Sequence, residues 1–146
     1  MDKHDAKVDH LAKVKLFRGC TRRELEALAR ITTDVTVPAG KVLCREGEIG
    51  HECFIVVEGE ATVSIDGDHV ATVGSGGFFG ELALLDGGQR VATVTASTEM
   101  ELYVLNNGEF YALLNDVPTV SRRMLEALGA RLREADSQLH GSRVGI

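Results

Sequence analysis

Between residues 32 and 106 the chain never settles into a helical period. Short apolar runs alternate with turn formers. Asp34-Val35-Thr36-Val37 stops at Pro38-Ala39-Gly40, and Lys41-Val42-Leu43-Cys44 leads to Gly47. Glu52–Val73 is broken at Gly59 and at Asp66-Gly67-Asp68. Runs this short, bounded by glycine and aspartate, are strands joined by tight turns. The second break sets Ala61–Ile65 against His69–Val73 as a hairpin. Val91–Ser97 and Met100–Asn106 supply further strands. One interruption stands inside the β region, at Gly80–Asp86, where Glu81-Leu82-Ala83-Leu84-Leu85-Asp86 is long enough for one or two helical turns.

The flanks read as helical. Val8, Leu11 and Val14 recur at spacing three. Thr21 and Glu24 have capping-box spacing ahead of Leu25, Leu28 and Ile31. Helix returns at Asn107–Asp116. Pro118 then suits a first helical turn, and Val120, Met124, Leu128 and Leu132 recur every four residues. The order helix, many strands, helix predicts an antiparallel β roll with flanking helices. One domain over 1–146 is expected, with N-terminal helices over 5–31, the β roll over 32–106 and C-terminal helices over 107–140. The length suits a single core without staples.

Composition narrows the chemistry. Net charge is −6, which argues against a surface that coats nucleic acid. Cys20, Cys44 and Cys53 are odd in number and lack CxxC spacing. Structural zinc and a disulfide framework are therefore disfavoured, and a reducing cytoplasm is the simpler setting. No apolar run is long enough to span a membrane. His4, His10, His51, His69 and His140 are scattered, without the cluster a metal-dependent enzyme on a β roll needs. No nucleophile motif appears. Cys53, inside a β run, reads as a small buried apolar group. These readings give no enzyme, no metal and no cofactor.

The stretch GGFFGELALLDGGQRVATVTA, residues 76–96, holds the most specific chemistry. Gly76, Gly77 and Gly80 let the backbone approach another object closely. A helix starting at Glu81 would present unpaired amides, which suit a phosphate. Arg90 would add a planar fork for phosphate oxygens. Glu81 would repel a phosphate, so it suits a hydroxyl donor such as a sugar. One acid, one base and a ring of amides describe a nucleotide pocket. Taken as loose composition, the same residues also describe a solvated turn with a surface Glu–Arg pair.

FGELALLDGGQRVATV, residues 79–94, resembles the phosphate-binding cassette of cyclic nucleotide-binding domains, as in catabolite activator proteins and regulatory subunits of cyclic AMP-dependent protein kinase. VPAGKVLCREGEIGHECFIVVEGEATV and LFRGCTRRELEALA are similar to flanking family segments, so the resemblance runs over about residues 14–135. It implies a jelly-roll-like double-stranded β-helix with a C-terminal lid helix. It also implies roles. Arg90 would pair with the cyclic phosphate, joined by amides near Leu82, Ala83, Val91 and Ala92. Glu81 would accept the ribose 2′-hydroxyl, and Gly80 would permit the turn. Leu82 would pack under the cassette and couple it to the helices. Gln89 stands where many members have Pro, which is expected to loosen the turn before Arg90. A Thr after the arginine favours cyclic GMP in the family. Val91 stands there instead, so cyclic AMP is the expected ligand, with cyclic GMP as the alternative.

The resemblance makes the last helix a lid. Leu128 and Leu132 would cover the base, with Arg131, Ala135 or Asp136 near its edge. The same apolar stripe suits packing on its own domain, or a homodimer seam. Glu46 and Glu48 flank the Gly47 turn, either as solvated groups or as supports for the cassette or Arg90. The expected function is a cytoplasmic sensor that signals by repacking its helices, with no contact to nucleic acid or membrane. Its effector would be a protein in trans or a fused domain. A protein-interaction module of the same fold, without ligand dependence, is the alternative from another class.

Overall fold

The structure, a computed structural model, describes residues 2–140, with side chains described as far as Glu134. Helix α1 (Lys3–Ala12) is capped by Asp2, whose carboxylate accepts from the Asp5 amide at 2.8 Å. A single 3-10 turn (Lys15–Phe17) leads to α2 (Arg22–Ile31). Thr21 and Glu24 form the reciprocal capping box that their spacing predicts. Eight strands follow: β1 (Thr33–Val37), β2 (Val42–Cys44), β3 (Glu52–Glu58), β4 (Ala61–Ile65), β5 (Asp68–Val73), β6 (Phe78–Phe79), β7 (Thr93–Ala96) and β8 (Met100–Asn106). Helix α3 (Glu81–Asp86) interrupts them between β6 and β7. Helices α4 (Asn107–Asp116) and α5 (Pro118–His140) complete the order.

The strands form two antiparallel four-stranded sheets, ordered β1-β8-β3-β6 and β2-β7-β4-β5. This is the antiparallel β roll with flanking helices that the alternating pattern predicts. The β4–β5 hairpin closes through Asp66 and Gly67, both at positive φ (53° and 84°), the turn geometry that follows the strands' own twist.

Strand alternation builds two cores. On β3 and β8, Cys53, Ile55, Tyr103 and Leu105 face the helices, where Leu11, Phe17, Leu28, Phe110 and Val120 pack. Their neighbours Phe54, Val56, Leu102 and Val104 face the second sheet, which contributes Cys44, Ala61, Val94 and Ala96. The first sheet is thus buried on both faces, between a helical layer and the second sheet. That explains why β3 reads as a continuous apolar run, with four consecutive buried residues.

The stripe on α5 is only half used. Val120 and Met124 are buried in the helical layer, and Leu128 is partly buried against it. Leu125 and Leu132 are exposed. The Arg123 guanidinium also donates to the Arg18 carbonyl at 3.2 Å, fastening the first half of α5 to the turn before α2.

Candidate functional site

The interruption at α3 opens a cavity of about 240 Å³ against the β2-β7-β4-β5 sheet, near the lower end of small-molecule sites, roughly 300–1,000 Å³. Val63, Val73, Phe79 and Val94 supply an apolar wall. Gly80–Ala83 and Arg90–Ala92 supply the polar rim. Local sequence explains the rim. Gly80 sits at φ 88° and ends β6 as the N-cap of α3. A Cβ there would lie 2.8 Å from Arg90 Nη1 and 3.1 Å from the Glu52 carbonyl, so only glycine lets the turn close over the arginine.

Arg90 is 8% exposed. Its Nη1 donates to the Gly80 carbonyl at 3.0 Å, and its guanidinium lies over the Phe54 ring at 5.9 Å. Among the described residues it forms no salt bridge. A guanidinium has five donors, and this one is buried without a counter-charge beside an open cavity. Nor does any protein acceptor among the described residues take the amides of Leu82, Ala83, Val91 or Ala92. All these groups line the cavity. Together they form a cradle for an anion.

The backbone fixes Arg90 from behind. Its amide donates to the Glu48 carbonyl at 2.7 Å, and its carbonyl accepts from the Gly47 amide at 2.9 Å. Gly50 donates to the Gly88 carbonyl at 3.4 Å, which pairs Ile49 with Gln89 as an isolated bridge. The turn before Arg90 is therefore tied by backbone hydrogen bonds, with Gln89 in place of a proline ring. Glu48 supports Arg90 through its carbonyl, not its carboxylate. Glu46 instead holds the β4–β5 turn, accepting from the Asp66 amide at 3.0 Å.

Glu81, in the first turn of α3, is 2% exposed. Its Oε1 accepts from Arg131 Nη1 of α5 at 2.7 Å, and the Arg131 guanidinium lies over Phe78 at 5.5 Å. Among the described residues Arg131 is the α5 side chain lining the cavity. Leu128 and Leu132, expected to cover a base, do not line the cavity. Leu128 turns to the helical layer, and Leu132 is 71% exposed. Helical spacing turns Arg131 about 60° from Leu128 and about 100° from Leu132. The side chains of Ala135 and Asp136 lie outside the described residues. Leu82 does not pack under the cassette as expected. It is 36% exposed at the cavity rim, while Leu84, 1% exposed, packs into the helical layer.

Sequence reasoning missed two contributors. A Cβ on Gly50 would lie 2.6 Å from Ala83 Cβ and 2.9 Å from Arg90 Cζ, so Gly50 makes room for the buried guanidinium. The Tyr111 hydroxyl of α4 donates to the Leu84 carbonyl of α3 at 2.6 Å. Neither carries a local signal, because both act on residues distant in the chain. The nearby thiols are buried and held protonated. Burial first, then Glu52 and Glu81, pushes Cys44 up to about 11 against the lowering pull of Arg90. Burial and then Glu81 push Cys53 up to about 12. Among the described residues no group of His, Cys, Asp and Glu could hold a metal ion, and no helix is long and apolar enough to cross a membrane.

Comparison with known proteins decides which family carries this arrangement. Residues 34–117 match the cyclic nucleotide-binding domain. The chain belongs to that family. It is 39% identical to a cyclic nucleotide-gated potassium channel of Rhizobium etli, over 85% of this chain and 36% of the channel. It is 31% identical to the cyclic AMP receptor protein of Thermus thermophilus, over 85% of this chain and 60% of that protein. The solved Thermus thermophilus catabolite activator protein superposes with a TM-score of 0.80 at 31% identity, covering 86% of this chain and 61% of that one. The cAMP-bound PfPKA-R fragment 141–441 superposes with a TM-score of 0.82 at 27% identity, covering 94% and 47%. The chain thus spans only part of the length of these relatives.

Proposed function

We propose that this cyclic nucleotide-binding domain is a sensor for cyclic AMP and acts by moving its C-terminal helices, without catalysis. The observation that carries the reading is Arg90, a buried guanidinium with no carboxylate partner among the described residues, facing a cavity rimmed by unpaired amides. A singly charged cyclic phosphate would satisfy both. Glu81 would accept the ribose 2′-hydroxyl. A carboxylate has about four acceptor sites, so it can hold Arg131 and a hydroxyl together.

Cyclic AMP is favoured over cyclic GMP by the apolar wall and by Val91, which lines the cavity and has no hydroxyl for a guanine amino group. The cyclic AMP-binding names of several relatives support the same choice. Signal would leave through Arg131. Contact at Glu81 would change the environment of Arg131, the α5 side chain that lines the cavity among the described residues, and so give α5 differential contacts in two states. The effector is a protein in trans or a fused segment.

Isothermal titration with cyclic AMP, cyclic GMP and 5′-AMP tests the reading. Cyclic AMP is expected to bind most tightly and 5′-AMP weakly. Equal binding of the two cyclic nucleotides removes the base assignment. No binding of either removes the sensor.

A further inference from the structure

Helix α3 is six residues long and closed at both ends by left-handed glycines, Gly80 (φ 88°) and Gly87 (φ 65°). It has no side-chain cap at its N-terminus. Its two ends are instead held by two different helices. At the cavity end, Glu81 is paired with Arg131 of α5. At the far end, the Tyr111 hydroxyl of α4 donates to the Leu84 carbonyl at 2.6 Å and lies 3.3 Å from the Leu85 carbonyl. Among the described residues these are the side-chain hydrogen bonds joining α3 to α4 and α5. The Tyr111 ring is 43% exposed and lies edge-on to its neighbour Phe110 at 5.8 Å, so the hydroxyl is its polar tie to α3.

We propose that Tyr111 is a positioning residue that seats α3 for ligand and gives α4 its own report of occupancy, separate from the Arg131 route. This inference rests on the reading of the Glu81–Arg90 cavity as a nucleotide site. The physical link is the peptide chain of α3. Its dipoles point one way, with amides at the cavity and carbonyls at Tyr111. An anion at one end and an O–H donor at the other polarise the same peptides in the same sense, and hydrogen bonds in series strengthen one another. Ligand therefore tightens the Tyr111 bond. By reciprocity, the Tyr111 bond tightens ligand binding by the same factor.

Tyr111→Phe removes the hydroxyl and keeps the ring. The test compares it with the wild type by calorimetry with cyclic AMP, by the ¹³C carbonyl resonance of Leu84, and by amide exchange across residues 83–88. Affinity is expected to fall by up to about threefold, because the bond is already made without ligand and only its tightening on binding enters the coupling. The Leu84 resonance moves on ligand addition in the wild type and much less in the variant, a response that simple loss of packing would not abolish selectively. Exchange across 83–88 is faster in the variant even without ligand. Arg131→Met serves as the reference and keeps the Leu84 response. Wild-type affinity together with an unchanged Leu84 response in Tyr111→Phe overturns the proposal. Should the wild type bind no cyclic nucleotide, the sensor reading fails, and equal ligand-free exchange rates overturn the clamp by themselves.

Discussion

Arg90 is legible in the sequence as the only base in residues 76–96, but its setting is not. Its burial depends on Phe54, Gly50 and Glu48, brought from β3 and the loop before it. Two expectations follow from that setting. Arg90→Ala should lower cyclic AMP affinity by about 2–5 kcal/mol, the range for truncating a buried charge that meets its opposite. Calorimetry on a variant with a wild-type melting curve checks this, and unchanged affinity would reject the phosphate role. Gly50→Ala should weaken binding although Gly50 does not line the cavity, because the new methyl displaces Ala83 or Arg90. Overpacking of this kind costs about 1–3 kcal/mol. A variant that binds and melts like the wild type would show that the cradle yields freely. Glu81 is likewise legible as an isolated acid, yet its pairing is not, since 50 residues separate it from Arg131. A 2′-deoxy analogue should bind more weakly than cyclic AMP to the wild type and nearly equally to Glu81→Gln. Equal binding of both by the wild type would remove the ribose assignment.

At the scale of elements, helix starts and the hairpin are readable because their causes are local. The Thr21–Glu24 box, Pro118 at the start of α5 and the Asp66-Gly67 turn each need only a few neighbouring residues. The direction in which α5 faces is not local. A four-residue repeat says that one stripe is apolar, but not where along the helix its cover ends. Cover ends after Met124, with Leu128 at the margin. The distal half of α5 is then tied to the roll by Arg131 and Glu81. Truncation after Leu125 should leave the roll and the buried anchors Val120 and Met124 folded, while leaving Glu81 buried and unpaired beside an incoming phosphate. Binding should weaken at least tenfold, about 1.4 kcal/mol, and cyclic AMP should slow amide exchange over 124–136 in the full chain. Protection confined to residues 80–94, with affinity untouched by truncation, would make the distal helix a scaffold only.

At the scale of the whole molecule, one sheet serves two cores, and each core holds a thiol. Cys53 faces the helical layer and Cys44 faces the second sheet. Burial raises Cys44 from 9.0 to about 11 and Cys53 to about 12, and it raises Tyr103 from 10.0 to about 12 with help from Asp34 and Glu101. All three folded values exceed the unfolded ones, so the folded state keeps protons that the unfolded chain releases. The associated stability is complete below about pH 9 and is lost as pH rises toward 11–12. At pH 10 each thiol accounts for a loss on the order of 1 kcal/mol. Urea unfolding between pH 7 and 10.5 should therefore show stability falling steadily above pH 9. Cys44→Ala and Cys53→Ala should each flatten that fall by their own share, whatever constant cost the lost sulfur adds. Since β3 and β8 place neighbouring residues in opposite cores, opening either core strips one face of the same two strands. Tyrosine fluorescence and far-ultraviolet dichroism should therefore shift together in both variants. Separate transitions for the two probes would mean that the helical layer detaches from an intact roll, and that ligand-driven helix movement needs no change in the sheet.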